Sequence, residues 1–170
     1  SSDVCSSDLV SRAPEVLGLA QRLGVRTLRE SGRGLNRAAS EASDFAARHG
    51  AAGVLVVHGD LPEARIQELS SMVRHLARKR GVVIAPDAMD EGSNALGVSP
   101  PGKIPFRFGP GSFRRHLGEA RRAKANLRVM RHPGLARDVD TPENFRLFLA
   151  SRSEEHTSEL QSHLNLVCRL

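Results

Sequence analysis

Gly53-Val-Leu-Val-Val57 and Val82-Val-Ile84 are uninterrupted apolar runs, and the polar stretch between them repeats apolar residues at helical spacing. The residues expected to face inward in that stretch, from Glu63 to Lys79, are Ile66, Leu69, Val73, Leu76 and Ala77. A strand that is apolar throughout is covered on both faces of its sheet. Two such strands joined by a helix form a βαβ unit, whose strands run parallel. These residues therefore predict an α/β fold, with helices over both faces of a mainly parallel sheet.

The rest of the chain continues the same alternation of helices and strands. Periodic apolar residues, in two cases with Pro at the first helical turn, predict helices, and short apolar runs predict strands. The expected helices are 14–23, 36–49, 112–125 and 141–150, and the other expected strands are 25–28, 94–98 and 127–130. No internal repeat or Pro-rich linker divides the chain, so we expect one three-layer domain. In such sheets, ligands bind beyond the carboxyl ends of the strands.

The two ends of the chain differ in composition from the Ala-, Arg-, Gly- and Val-rich middle. Residues 1–9 repeat Ser-Ser-Asp, and residues 152–170 are rich in Ser, Glu and Leu. Both resemble translated sequencing-adapter sequence, so we predict that they are non-native tails and that residues 10–151 form the domain. The two cysteines, Cys5 and Cys168, lie in these ends. Residues 10–151 therefore offer no disulfide, cysteine metal ligand or cysteine nucleophile.

The charge of the chain favours an anionic partner. Residues 10–151 carry 23 Lys and Arg against 14 Asp and Glu, which suits a nucleotide, a small phosphorylated acid or a nucleic acid. A basic nucleic-acid-binding module is the less favoured alternative, because the chain has no Trp or Tyr and its six Phe are not interleaved with basic residues as stacking platforms are. No apolar run approaches the roughly 18 residues of a membrane span. We therefore expect a cytoplasmic protein with no membrane partner.

Phe106-Arg-Phe-Gly-Pro-Gly-Ser-Phe-Arg-Arg-His116 places two glycines and a serine where a turn opens the predicted helix at 112–125. Main-chain N–H groups at a helix start point outward without partners, and the helix dipole adds partial positive charge, so such a turn can hold a phosphate or carboxylate. Gly109 and Gly111 allow a ligand to approach closely, and Ser112 is a suitable N-cap and hydroxyl donor. The alternative is an ordinary capped helix whose arginines form a solvated basic face.

One carboxylate follows a predicted strand, and two others directly precede the helix predicted at 141–150. Asp60 comes just after the strand at 53–57, and Asp138 and Asp140 are two apart, which in an extended segment places both on one side. Magnesium favours one or two carboxylates together with phosphate oxygens, so these residues predict a magnesium site. Taken singly, each could instead be a turn or helix-cap residue. The five histidines within residues 10–151 lack metal-ligand spacing and are assigned no role; they are His49, His58, His75, His116 and His132.

Seven short segments match one family in order and spacing. They are Gly34-Leu-Asn36, Gly59-Asp-Leu-Pro62, Ala85-Pro-Asp87, Gly92-Ser-Asn-Ala-Leu96, Phe108-Gly-Pro-Gly-Ser-Phe113, His116 and Asp138-Val-Asp-Thr-Pro142. Together they resemble the 2-phospho-L-lactate, or phosphoenolpyruvate, guanylyltransferases of deazaflavin coenzyme F-420 biosynthesis. The resemblance implies a Rossmann-like nucleotidyltransferase fold. It also implies an enzyme that joins GMP from GTP to phosphoenolpyruvate or 2-phospho-L-lactate and releases diphosphate.

The same resemblance implies roles for individual residues. The residues expected to hold the phospho-acid are Ser93, Gly109 and Ser112. Those expected on the nucleotide side are Gly34 and Asn36. Those expected to bind magnesium are Asp60, Asp138 and Asp140.

The family's first strand, its nucleotide-gripping loop and its first helix have no counterpart in this chain. We therefore expect the chain to be a poor enzyme by itself. A nucleotidyltransferase of the molybdopterin or sugar type is the alternative, since it would share Asp60 but does not need the Gly109–Ser112 turn. The sequence predicts no oligomeric state.

Overall fold

The computed structural model describes residues 6–32, 34–139, 145–146, 148–149 and 165–169, the first two and the last five of these by their backbone only. Its elements in chain order are β1 (Ser6–Ser11), α1 (Pro14–Arg22), β2 (Arg26–Arg29), α2 (Leu35–Arg48), β3 (Val54–Val57), α3 (Ile66–Arg78), β4 (Gly81–Pro86), β5 (Ser93–Ser99), α4 (Ser112–Arg122), β6 (Leu127–Val129), a 3-10 turn (Pro133–Leu135) and β7 (Asn165–Arg169). The helices and strands predicted between residues 14 and 130 are all confirmed. Of the helix predicted at 141–150, positions 145–146 and 148–149 are helical, and the other positions lie outside the described residues.

The described strands form one mixed sheet in the order β2-β1-β7-β3-β5-β4-β6. Five of them run in one direction, and β5 and β7 run antiparallel to their neighbours. The α/β fold is therefore confirmed. Because β5 and β7 lie between strands of the opposite direction, four of the six neighbouring pairs among the described strands are antiparallel, so the sheet is mixed and not mainly parallel in its pairing. The βαβ unit is present as well, but β5 lies between its two strands and pairs with both.

The two ends of the chain contribute to this sheet. β1 begins at Ser6, and β7 fills the space between β1 and β3. Residues 6–9 and 165–169 thus pair within the sheet, outside the bounds predicted for the domain. An extended segment that pairs on both edges is held by its main-chain hydrogen bonds, so it needs no hydrophobic alternation of its own. That residues 1–9 and 152–170 are non-native tails stays a prediction.

The helices cover both faces of the sheet, which makes the three layers. Successive residues of β3, such as Val54 and Leu55, point to opposite faces and are both fully buried. The Val54 face packs against α2 and α4. The Leu55 face packs against α3 through Met72 and Leu76. The inward orientation predicted for Ile66 and Ala77 is wrong, because both residues are exposed near the two ends of this helix. Burying a side chain of this size contributes about 1.5–3 kcal/mol, so this double packing is a main source of stability. None of the helices in the described part of the chain combines the length and apolar character needed to cross a bilayer.

The strand directions bring three loops to one edge of the sheet. β3 and β4 end at this edge, and β5, running the opposite way, begins there. Ser93 at the start of β5 pairs with Pro86 at the end of β4, and the main-chain N–H of His58 after β3 donates to the Asn94 carbonyl at 3.0 Å. The antiparallel insertion of β5 therefore places its first residue beside the segments that follow β3 and β4.

Candidate functional site

The turn before α4 has the backbone shape that its glycines predict. Gly109 and Gly111 have φ angles of +111° and +68°, a region that residues with a Cβ rarely adopt. A Cβ added at either position would meet nothing within 4 Å, so the space beside the turn is open. Gly111, and not Ser112, is the N-cap of α4. The predicted N-cap role of Ser112 is therefore wrong, because the left-handed glycine already ends the turn one residue earlier.

The side chain of Ser112 joins the turn to the sheet. Its Oγ accepts the main-chain N–H of Ser93 at 2.9 Å, and both serines are buried. The N–H of Phe113 donates to the Glu91 carbonyl at 3.0 Å, which adds a second link between α4 and the segment before β5. The structure thus brings together the three residues predicted to hold a phospho-acid, Ser93, Gly109 and Ser112. Their binding role stays a prediction.

His116, one turn further along α4, was given no role from the sequence. It is fully buried, its Nε2 accepts the main-chain N–H of Arg107 at 2.8 Å, and its Nδ1 lies 3.0 Å from the Oγ of Ser93. Burial is the largest cause that lowers the pKa of His116 from 6.5 to about 4. The signal that could have identified it is its position in the Phe106–His116 stretch, four residues after Ser112 on the same helix face.

The residues predicted on the nucleotide side lie at the start of α2. Gly34 is the N-cap of this helix, with a φ of +107°. Asn36 contacts the segment before the turn: its Nδ2 donates to the Phe108 carbonyl at 3.1 Å, and its Oδ1 accepts the Phe108 N–H at 2.6 Å. The side-chain amide of Asn36 thus fixes the main chain next to Gly109. A nucleotide-binding role for Gly34 and Asn36 stays a prediction.

Asp60 and Asp138 belong to segments that touch. The main-chain N–H of Val139 donates to the Asp60 carbonyl at 3.0 Å. The Oδ1 of Asp60 is buried and has no hydrogen-bond partner among the described residues. Within the described ranges, no three His, Cys, Asp or Glu side chains are grouped closely enough to hold a metal ion. The third predicted ligand, Asp140, lies outside those ranges, so the set of three carboxylates stays a prediction.

The residues that precede Asp138 are held by hydrogen bonds to three other elements. The Glu68 carboxylate of α3 accepts the Gly134 N–H at 3.0 Å, and the buried Asn94 amide donates to the Leu135 carbonyl at 3.0 Å. The Ala88 N–H donates to the Ala136 carbonyl at 2.9 Å. These bonds come from α3, β5 and the loop after β4. The packing of these three elements therefore sets where Asp138 lies.

A cavity of about 380 Å³ opens beside this segment. Its lining includes Pro62, Asp87, Arg137, Asp138 and Phe148. Most of the Asp87 carboxylate is used within its own loop, where it accepts the N–H groups of Met89, Glu91 and Gly92. Asp87 therefore stabilises the loop that borders the cavity, and Arg137 and Asp138 add two charged side chains to its lining.

The order of the strands and the helical layers on both faces of the sheet define a Rossmann-like nucleotidyltransferase fold. A solved structure described as a putative nucleotide-diphospho-sugar transferase from Desulfovibrio desulfuricans matches with a TM-score of 0.69, over 87% of this chain and 67% of that chain. The sequences are 16% identical, so this likeness shows the fold alone. The family model for guanylyl transferases of the CofC-like type matches residues 3–168. The chain belongs to that family.

Individual relatives agree with the family assignment. The chain is 44% identical over 134 residues to the phosphoenolpyruvate guanylyltransferase of Sphaerobacter thermophilus, which covers 79% of this chain and 64% of that protein. It is 28% identical over 157 residues to the 2-phospho-L-lactate guanylyltransferase of Methanocaldococcus infernus, covering 92% and 70%. It is 31% identical over 162 residues to the 3-phospho-D-glycerate guanylyltransferase of Colwellia psychrerythraea, covering 95% and 74%. The match thus spans slightly less than two thirds of the Sphaerobacter relative.

Proposed function

We propose that this chain carries the catalytic domain of a guanylyltransferase that joins GMP from GTP to a three-carbon phospho-acid and releases diphosphate, in deazaflavin coenzyme F-420 biosynthesis. The observation that carries the proposal is the junction at the sheet edge. There, an open glycine turn at a helix start is bonded to Ser93, beside the segment that ends in Asp60. The three relatives act, by name, on three different phospho-acids. All three acids share a phosphate and a carboxylate on a three-carbon chain.

The reaction suits such a site because it needs alignment more than acid–base chemistry. A phosphate oxygen of the acid attacks the α-phosphorus of GTP, and the bond from that phosphorus to the diphosphate breaks. The nucleophile is already an anion, so no strong base is required. The main-chain N–H groups of Gly109 and Gly111, together with the hydroxyls of Ser93 and Ser112, would hold the phospho-acid. Gly34 and Asn36 would lie on the GTP side.

Magnesium fits the acidic residues of this edge. Asp60 has a buried carboxylate oxygen with no donor within the part of the chain that the structure describes, and such an oxygen suits a hard cation. Asp138 lies one residue from the main-chain bond that joins the two segments. Asp60, Asp138 and Asp140 would therefore hold the ion. Bound magnesium would neutralise negative charge on the phosphate oxygens of the reactants.

Binding and turnover together test this proposal. Calorimetry with magnesium measures binding of phosphoenolpyruvate, 2-phospho-L-lactate and 3-phosphoglycerate in turn, and diphosphate release from GTP measures turnover. We expect saturable binding of at least one acid and magnesium-dependent diphosphate release. Slow release also supports the proposal. Absence of both binding and release contradicts it.

Asp60→Asn tests the metal assignment. Losing several kcal/mol of charge stabilisation corresponds to a fall of at least about 100-fold in turnover. The matched control is Asp44→Asn, which removes the same charge at an exposed position of α2 and is expected to leave turnover unchanged. Circular dichroism checks that both variants fold. Turnover close to that of the unmodified chain in Asp60→Asn would show that this carboxylate binds no essential ion.

A further inference from the structure

The ring of His116 connects three segments that meet at the glycine turn. His116 belongs to α4, its Nε2 bonds to the main chain of Arg107 just before the turn, and its Nδ1 bonds to the first residue of β5, Ser93. The ring of Phe108 packs edge-on against it, with ring centres 5.0 Å apart. The imidazole is therefore held by hydrogen bonds at both of its nitrogens and by contact with the Phe108 ring.

These contacts decide which nitrogen carries the proton. A main-chain N–H can only donate, so the Nε2 that faces Arg107 must be an acceptor without a proton. In the neutral ring the proton then lies on Nδ1 and is donated to the Oγ of Ser93. The charged groups around the ring are Arg115 and Glu119 on α4, Arg107 before the turn and His58 after β3. Burial is the largest cause that lowers the pKa of His116 to about 4. The positive charges of Arg115, Arg107 and His58 lower it further, and only Glu119 acts in the opposite direction. The ring is therefore neutral at neutral pH.

The direction of this bond fixes what Ser93 can do. The Ser93 Oγ accepts from His116, so its own O–H proton is left to donate elsewhere. The Ser93 N–H is already committed to the Oγ of Ser112. Ser93 is thus oriented by one bond on each side and presents a hydroxyl donor at the sheet edge where the phospho-acid would bind.

We propose that His116 is a positioning residue for the phospho-acid. Its Nδ1–H turns the Ser93 hydroxyl into a donor for an oxygen of the acid, whereas its Nε2 bond to the Arg107 main chain contributes to stability and not to the affinity for the acid. The inference rests on the proposed function, since it names how that same site is organised. His116 touches no reacting atom in this scheme and exchanges no proton with substrate.

Two substitutions separate the two ring contacts. The amide nitrogen of Asn occupies nearly the place of the histidine Nδ1, so His116→Asn keeps a donor for Ser93 and loses the acceptor for Arg107. The amide group of Gln reaches the place of Nε2, so His116→Gln keeps an acceptor for Arg107 and loses the donor for Ser93. A purely structural histidine would make affinity follow stability in both variants. The positioning role makes the two quantities separate.

The experiment measures affinity for phosphoenolpyruvate with magnesium by calorimetry, and thermal unfolding, on the unmodified chain and both variants. We expect His116→Gln to weaken binding at least about 10-fold, because the Ser93 hydroxyl is no longer oriented to donate to the charged acid. We expect His116→Asn to bind within about 3-fold of the unmodified chain. It should nevertheless melt about 2–4 °C below His116→Gln, because the Arg107 N–H has lost its acceptor.

The possible outcomes distinguish failure of the inference about His116 from failure of the proposed function. Equal affinity in the unmodified chain and His116→Gln overturns the inference and leaves the proposed function standing. Affinity that falls in parallel with melting temperature in both variants also overturns it, in favour of a purely structural histidine. If the unmodified chain binds none of the three acids and releases no diphosphate, the proposed function fails and the inference fails with it. If it binds one of the other two acids instead of phosphoenolpyruvate, the same comparison of variants is made with that acid. Nitrogen-15 NMR of the ring gives an independent check, since a proton on Nε2 at neutral pH would reverse the bonds on which the inference depends.

Discussion

Replacing Asn36 by Ala removes the side chain that fixes Phe108, the residue before the glycine turn. Both hydrogen bonds of that side chain go to the Phe108 main chain, one to its N–H and one to its carbonyl. A hydrogen bond of this kind contributes about 1 kcal/mol net, so losing both costs about 2 kcal/mol. Asn36 itself is exposed, so water can partly replace the lost amide, and a larger loss from an unsatisfied buried group is not expected.

Urea unfolding followed by circular dichroism measures this loss. With a slope of about 2 kcal/mol per molar urea, the midpoint should fall by about 1 M. Asn36→Asp should lose a similar amount, because it keeps an acceptor for the Phe108 N–H but turns a second oxygen towards the Phe108 carbonyl. The matched control is Ser40→Ala in the same helix. The Ser40 hydroxyl donates to the Asn36 carbonyl at 2.8 Å. The effect of this substitution should stay within about 0.5 kcal/mol.

The result that would refute this reasoning is a loss below about 0.5 kcal/mol in Asn36→Ala, the size of an ordinary surface substitution. Asn36 would then be a free surface amide, as a direct nucleotide ligand would be. A clear loss of stability would instead mean that any effect of Asn36→Ala on GTP binding includes displacement of the turn.

Two further predictions concern His116 and Gly134. Burial lowers the pKa of His116 from 6.5 to about 4, so the unfolded chain binds more protons between these values and stability falls as the pH falls from 6.5 to 4. Over that interval the unmodified chain should lose about 3 kcal/mol more than His116→Gln, by urea midpoints at a series of pH values; parallel curves would mean that the ring is not buried neutral. A Cβ at Gly134 would collide with the Glu63 carbonyl and the Glu68 carboxylate, so Gly134→Ala should shift the segment that carries Asp138 and weaken magnesium binding about 10-fold in a calorimetric titration. The control is Gly18→Ala on α1, where the end of the Arg22 side chain lies near the added Cβ. Equal magnesium affinity in the two variants would mean that Asp138 is not a ligand of the ion.

Local pattern was enough to predict most of the elements. The apolar periodicity of α3 and the short apolar runs of β3 and β4 depend on neighbours within a few residues, so they can be recognised without the fold. The turn at Gly109 and Gly111 was predictable for the same reason, because the chain itself shows where a residue without a Cβ is needed. The strands at the two ends could not be predicted in this way, since β7 shows no alternation and is held by pairing with β1 and β3.

The sequence by itself determined the α/β class, the order of the helices and strands from residue 14 to 130, and the glycine turn, because each of these is set by short-range periodicity and backbone sterics. Only the tertiary structure decided that β5 enters antiparallel between β3 and β4, and with it that Ser93 meets Ser112. It also decided that Asn36 holds Phe108 across 72 residues of chain and that His116 holds Ser93 across 23. Such contacts depend on how distant segments pack against one another, and no pattern within a single segment records that packing.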